Sequence, residues 1–131
     1  MPASAELAAR LMADAHAHLK AAEAVVDIDP AGCLQVAYDA ARKAAGALLA
    51  VQGLRATNGG GHIAVQEAAR ACSPAFAPFA RMRRRRHDSE SPGPGTPTIV
   101  GADAVEGIRQ ASEMVWAAAD LLASGKVRAI R

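Results

Sequence analysis

The chain has 131 residues, a hydrophobic fraction of 51% and a formal net charge of +2. This length fits one domain over residues 1–131, and a charge so near neutrality excludes a globally basic surface. No signal peptide is visible and no stretch is long and apolar enough to span a bilayer, so we expect a soluble, cytoplasmic protein that does not bind a membrane.

Helical periodicity predicts two long helices in the first half of the chain. Apolar residues recur every three or four positions over residues 7–26, after Ser4 as the N-cap. This helix should end before Pro30, because proline disfavours a helical conformation in the preceding residue. Pro30 suits the first turn of a second helix over residues 31–54, with Asp29 as its cap. The predicted buried stripe of that second helix consists of Leu34, Tyr38, Ala41, Ala45, Leu48 and Leu49.

Two further helices are predicted before the Pro/Gly-rich part of the chain. A short third helix covers residues 62–72. Ser73 and Pro74 have the pattern of an N-cap followed by proline in a first helical turn. Pro78 predicts a late start or a kink in the fourth helix, which continues to about Asp88.

A Pro/Gly-rich segment separates the fourth helix from the last one. Residues 91–101 cannot continue a helix and are predicted to form a mobile loop. The last helix covers residues 102–124, carries apolar residues such as Val105 on its periodic stripe, and stops at Gly125. No strand alternation of useful length occurs. The predicted fold class is therefore all-α, an up-and-down bundle of four main helices plus one short helix.

The predicted core is thin, because much of the hydrophobic fraction is alanine and aromatic residues make up only 3% of the chain. A core of this kind gains from burying a helix face against a second copy, so we expect a homodimer. The large side chains predicted to anchor the interior are Tyr38, Phe76, Phe79 and Trp116.

A run of five arginines and one histidine, from Arg81 to His87, concentrates positive charge near the end of the fourth helix. Guanidinium groups bind phosphate bidentately, and imidazole carries protons near neutral pH. Because residues three or four apart share a helix face, Arg83 or Arg84 could act beside His87 on one phosphate. The alternative is a solvated basic face that pairs with nearby carboxylates or with those of a partner. The predicted anion-binding residues are Arg81, Arg83, Arg84, Arg85 and Arg86.

The glycine-rich segment 59–61 precedes His62 at the start of the third helix. Glycine-rich turns before helices can hold anions, but no P-loop pattern follows this one. We interpret it as a flexible turn, after which His62 either caps the helix or points toward the arginine run.

No metal or other cofactor is expected. His16 and His18 are two residues apart and therefore point to different faces of the first helix. Cys33 and Cys72 lack the spacing of metal ligands and are interpreted as free thiols in a reducing compartment. A disulfide between the two cysteines is the alternative.

Four segments of the chain match, in order and spacing, one family of helical domains. They are YDAARKAAGALL at 38–49, GGHI at 60–63, RHDSES at 86–91 and the alanine-rich helix that begins near Ala102. On these segments the chain resembles the HEPN domains (higher eukaryotes and prokaryotes nucleotide-binding), in particular a small stand-alone bacterial branch. The resemblance implies a helical bundle that dimerises, with an Arg-x4-6-His motif from each subunit lining a cleft at the two-fold axis.

The family motif fits the chain in two registers. In the first, Arg81 is followed by five residues and then His87. In the second, Arg86 takes the place of the motif arginine, His87 that of the polar residue after it, and Ser91 that of the catalytic histidine. The resemblance thus implies Arg86 as the phosphate clamp and His87 as the proton carrier. Arg81, Ser91 and His62 are the further catalytic candidates.

Two functions follow from these observations. Active HEPN members cleave RNA without a metal, often as toxins or defence nucleases, and other members are inactive binding or scaffolding domains. The first prediction is accordingly a HEPN-like dimer that binds RNA or nucleotide phosphate, with metal-independent ribonuclease activity as an extension. The second is a non-enzymatic module that docks an acidic partner protein, such as a cognate antitoxin.

Overall fold

The computed structural model describes residues 4–53 and 61–125, apart from the side chains of residues 61 and 62. Within these ranges every regular element is helical, which confirms the all-α class. The elements are α1 (Ala5–Val25), α2 (Pro30–Gln52), α3 (Gly61–Cys72), a single 3-10 turn (Pro74–Phe76), α4 (Phe79–Glu90) and α5 (Gly101–Ser124).

The late start predicted for the fourth helix is confirmed, since α4 begins at Phe79, and it ends at Glu90 instead of about Asp88. Both α3 and α4 have 12 residues, so the described bundle has three long helices and two short ones instead of four main helices and one short one. The segment that starts at Ser73 forms the 3-10 turn, with the Ser73 side chain as its cap, and α4 begins only after Pro78. The predicted loop is also one residue too long, because Gly101 already belongs to α5.

Local chemistry accounts for most of the helix ends. Ser4 Oγ accepts a hydrogen bond from the N–H of Leu7 at 3.0 Å, and Asp29 Oδ1 accepts one from the N–H of Gly32 at 3.0 Å. Gly53 and Gly125 end α2 and α5 with φ angles of 82° and 69°, a left-handed conformation that glycine adopts without steric cost. Ser4, Asp29 and Gly125 confirm the predicted caps and stop, whereas α2 ends at Gln52, two residues before the predicted end.

Helix α2 lies at the centre of the bundle and packs against each of the other four α-helices. Its six predicted stripe residues are all buried. Alanines on α1 and α2 allow these two helices to pack closely. At Gly107 of α5 there is no room for a side chain, because a Cβ at that position would lie 2.6 Å from Cδ1 of the buried Leu34. The core is therefore thin, as predicted, and depends on small residues at its helix crossings.

Three of the four aromatic side chains form the interior cluster that the sequence predicts. The ring of Phe79 lies 5.5 Å from that of Tyr38 and 6.1 Å from that of Phe76. The prediction is wrong for Trp116, whose side chain is 58% exposed, and for Val105, which is 59% exposed. The buried face of α5 passes through Ala104, Gly107, Ala111, Met114, Val115 and Ala118. Trp116 follows the buried Met114 by two residues, a rotation of about 200° around the helix, so its side chain points away from the buried face.

Candidate functional site

Helix α4 carries the arginine run and packs one side against the bundle. Phe79 and Met82 are each 1% exposed, and they are three residues apart on the same helix face. Arg86 is the next residue on this face, four positions after Met82. Arg83 follows Phe79 by four positions and is half-buried, so the packed side of α4 includes two of the arginines.

Arg86 is held by three groups in the structure. Its guanidinium carbon lies 5.5 Å from the centre of the Tyr38 ring, and its Nε lies 3.8 Å from Asp39 Oδ1. Its Nη2 pairs with Glu90 Oε1 at 3.1 Å along α4. This combination of ring stacking and two carboxylates ties α4 to α2. A phosphate at Arg86 would have to compete with both carboxylates.

Arg85 makes the second link, between α4 and the start of α5. Its Nη2 donates to Asp103 Oδ1 at 2.6 Å, and Asp103 Oδ2 accepts the N–H of Val100 at 2.9 Å. These two hydrogen bonds, first that of Val100 and then that of Arg85, hold the pKa of Asp103 below its usual value, and the charge of Arg81 adds to the effect. Two of the five predicted phosphate ligands are thus partnered by carboxylates of the chain itself.

Three charged side chains meet at the edge of this packed side of α4. Arg83, Arg84 and His87 line a depression of about 320 Å³ together with Asp88. Arg84 and His87 are exposed, and Arg83 is half-buried. The Nε of Arg83 is buried and has no hydrogen-bond partner in the described part of the chain. The i, i+3 and i, i+4 spacing therefore brings two guanidinium groups and one imidazole to one place, as the sequence predicts.

Helix α2 packs against α4 and brings Tyr38 near these cations, which the helical periodicity did not predict. Tyr38 is 6% exposed, and burial raises the pKa of its hydroxyl. The positive charges of Arg83, Arg42 and Arg86 act in the opposite direction, and the carboxylate of Asp39 raises the pKa further. The hydroxyl is therefore a neutral hydrogen-bonding group next to several guanidinium groups. The one indication in the sequence that α2 takes part in the site is the pair Tyr38-Asp39, a charged residue next to an aromatic residue of the buried stripe.

The other predicted site residues lie outside the depression. Arg81 is exposed and does not line it. Ser91 caps α4, and its N–H donates to the carbonyl of His87 at 3.0 Å, but its side chain is not part of the lining either. The side chain of His62 lies outside the part of the chain that the structure describes. Neither register of the Arg-x4-6-His motif is therefore assembled within one chain at this depression.

Both cysteines are free thiols, so the alternative disulfide is not formed. Burial raises the pKa of Cys33 and of Cys72, and Cys72 Sγ also accepts a hydrogen bond from the Gln52 amide at 3.6 Å. Within residues 4–53 and 61–125, no three His, Cys, Asp or Glu side chains are grouped as metal ligands would be. In the same ranges no helix has both the length and the apolar character that a membrane span requires.

No protein-family model, curated protein or solved structure matches the chain. What α4 can bind depends on which of its cations are already paired with carboxylates and which face solvent.

Proposed function

We propose that the chain is a HEPN-like helical protein that binds the phosphate groups of RNA or of a nucleotide through Arg83, Arg84 and His87. The observation that carries this proposal is the convergence of these three side chains on one depression of about 320 Å³. Guanidinium groups with open donors are suited to phosphate oxygens.

The charge balance around α4 favours the same three residues. Arg85 and Arg86 are each within 4 Å of a carboxylate, whereas no ion pair within the described residues involves Arg83 or Arg84. Asp88 contributes one negative charge to the depression. Its side chain would repel a phosphate, so removing that charge should strengthen binding.

Cleavage of RNA is an extension of this proposal and needs a second proton carrier. A metal-independent mechanism requires a base for the 2′-hydroxyl, an acid for the leaving oxygen and a cation for the transition state. Among the described residues that line the depression, His87 has the one imidazole. The second proton carrier would be His62 of the same chain or a group from another copy, as in the two-fold cleft that the HEPN resemblance implies. Phosphate binding therefore comes first and ribonuclease activity second.

The binding test is a salt series with a fluorescent single-stranded RNA oligonucleotide. Each phosphate contact contributes about −0.7 to the slope of log affinity against log salt for a single strand. Arg83→Ala and Arg84→Ala should each weaken binding and reduce the slope by about that amount, and Asp88→Asn should tighten it several-fold. The matched control is Arg10→Ala, an exposed arginine on α1.

Three results would contradict the proposal. They are an equal loss of affinity with Arg10→Ala, an affinity that does not depend on salt, and no RNA binding at low salt. Cleavage is measured separately, by incubating bulk RNA with the protein in the presence of a chelator. Products that end in a 2′,3′-cyclic phosphate, and that disappear with His87→Ala, would establish the extension.

An acidic partner protein, such as a cognate antitoxin, is the second candidate. Carboxylates of the chain already bind Arg85 and Arg86, and a partner's carboxylates would use the same chemistry on Arg83 and Arg84. Purification distinguishes the two functions. Nucleic acid that co-purifies with the protein supports the first, and clean protein that does not shift RNA at low salt supports the second.

A further inference from the structure

The α1–α5 face of the bundle leaves a tryptophan uncovered beside an apolar groove. Trp116 on α5 is 58% exposed, and the edge of its ring meets His16 of α1 at 5.3 Å between centroids. Next to it the two helices leave a groove of about 370 Å³, and the residues that line it within the described part of the chain are all apolar. Six of its lining residues are Ala5, Ala9, Met12, Val51, Ala119 and Leu122.

Small side chains create this groove. The residues that α1 and α5 turn toward each other here are mostly alanines, including Ala5, Ala9 and Ala119. A methyl group is too short to fill the space between two neighbouring helices, so Met12 and Leu122 are left as walls of an open channel. An exposed indole beside an unfilled apolar channel is an unusual surface for a chain that stays alone in water.

We propose that a second copy of this chain covers the α1–α5 face, with Trp116 of each copy entering the groove of the other. A two-fold interface requires that a projecting group and the pocket that receives it lie on the same surface. Ala119 and Leu122 are three and six residues after Trp116, which is about 4.5 Å and 9 Å along the helix. A two-fold axis at Ala119 sets the two α5 helices antiparallel and places each Trp116 opposite Leu122 of the other copy. The small side chain of Ala119 lets the helices approach at the axis.

The chemistry and the size of the face both favour a second copy as the occupant. A lining without charged or polar residues offers nothing to a polyanion or an acidic peptide, whereas the indole of Trp116 is an apolar group of suitable shape. Helices α1 and α5 have 21 and 24 residues. Two neighbouring helices of this length, each about 10 Å wide, present roughly 700 Å². Stable interfaces bury about 800 Å² per partner, so this face is of the right size.

The proposed interface is separate from the basic surface of α4. Helix α4 packs on α2 beside Tyr38 and Asp39, whereas Val51 of α2 lines the groove. Val51 follows Tyr38 by 13 residues, which turns it by about 220° around α2. The groove and α4 therefore lie on different sides of α2. A dimer formed at the groove leaves the two α4 depressions open and apart, unlike the shared cleft that the HEPN resemblance implies.

Sedimentation velocity of the full chain over a range of concentrations tests this interface, together with intrinsic fluorescence. Trp116 is the single tryptophan of the chain, so its emission reports the environment of this one position. We expect a dimer whose formation shifts the emission to shorter wavelength. Trp116→Lys and Ala9→Arg should each raise the dimer dissociation constant by roughly 30-fold or more, the usual effect of losing a buried anchor. Circular dichroism confirms that both variants remain helical.

Ile28→Lys is the matched control. Ile28 is the most exposed large hydrophobic residue of those described, at 81%, and it lies beyond the end of α1 that is distant from the groove. This variant should dimerise as the parent does. A monomer at every concentration, or a dimer that survives both face variants, would overturn the proposal. Loss of the dimer with Arg84→Glu but not with Trp116→Lys would also overturn it and would place the interface at α4. RNA binding by the Trp116→Lys monomer is measured separately, so failure of one proposal does not affect the other.

Discussion

Replacing Arg86 by alanine should destabilise the bundle while leaving much of its affinity for RNA, and replacing Arg84 should do the reverse. Arg86 is the first choice for a catalytic arginine on the sequence pattern, yet its guanidinium stacks on Tyr38 and pairs with Asp39 and Glu90. Arg84 is exposed on the outer side of the same helix. The two variants remove the same charge at positions two residues apart on α4, so each is the control for the other.

The expected loss of stability follows from the contacts of Arg86. Its side chain is 31% exposed, so both ion pairs are screened by solvent and contribute about 0.2 to 1 kcal/mol each. The partly desolvated contact with the Tyr38 ring contributes about 0.5 to 1 kcal/mol. Arg86→Ala should therefore lower the free energy of unfolding by about 1 to 3 kcal/mol. Arg84→Ala should change it by less than about 0.5 kcal/mol, as is usual for exposed sites.

Urea denaturation followed by circular dichroism measures both values, and a double-mutant cycle with Tyr38→Leu isolates the stacking term. The coupling energy between Arg86 and Tyr38 should be at least about 0.5 kcal/mol. Two results would contradict a structural role for Arg86. One is a free energy of unfolding for Arg86→Ala equal to that of the parent. The other is loss of RNA binding with Arg86→Ala while Arg84→Ala still binds. In that case the arginine faces the ligand, and its contacts with Asp39 and Glu90 have no structural importance.

Three further predictions concern the fold. Gly46→Ala should stabilise α2 by about 0.5 to 1 kcal/mol, because the new Cβ meets only an ordinary contact at 3.5 Å. Gly107→Ala should destabilise the protein by about 1 kcal/mol, because the new Cβ would lie 2.6 Å from the buried Leu34. Chemical denaturation gives both values, and equal gains in stability would contradict the lack of room at Gly107. Phe79→Ala should cost about 3 to 5 kcal/mol in the same assay, since this buried ring joins the other two interior aromatics, and a loss under 1 kcal/mol would show that the cluster is not structural. Because the pKa of Asp103 is lowered in the folded state, its carboxylate stabilises the fold above its unfolded pKa of about 4, and this stabilisation is lost as the pH falls through the folded value. Asp103→Asn should therefore flatten the decline in stability below about pH 4. An unchanged decline would argue against the link between Asp103 and α4.

The positions of the helices were predictable because they depend on neighbours in the chain. Ser4 and Asp29 cap N–H groups only three residues away, and Pro30 and Gly125 act through their own backbone angles. The stripe of α2 was equally predictable, because α2 is the central helix and buries its apolar residues whichever neighbours surround it. Helical periodicity also showed that Arg83 and His87 share a face.

Only the tertiary structure decided what each face of a helix meets. Arg85 finds its carboxylate 18 residues away at the start of α5, and Arg86 finds Asp39 on α2, so identical residues in one run have different roles. Periodicity states which residues lie on the same side of a helix, but it does not state which side a neighbouring helix covers. Trp116 shows the same limit: its spacing suits a core position, yet the alanines, glycine and methionine of α5 already fill the side that faces α2, which leaves the indole on the surface.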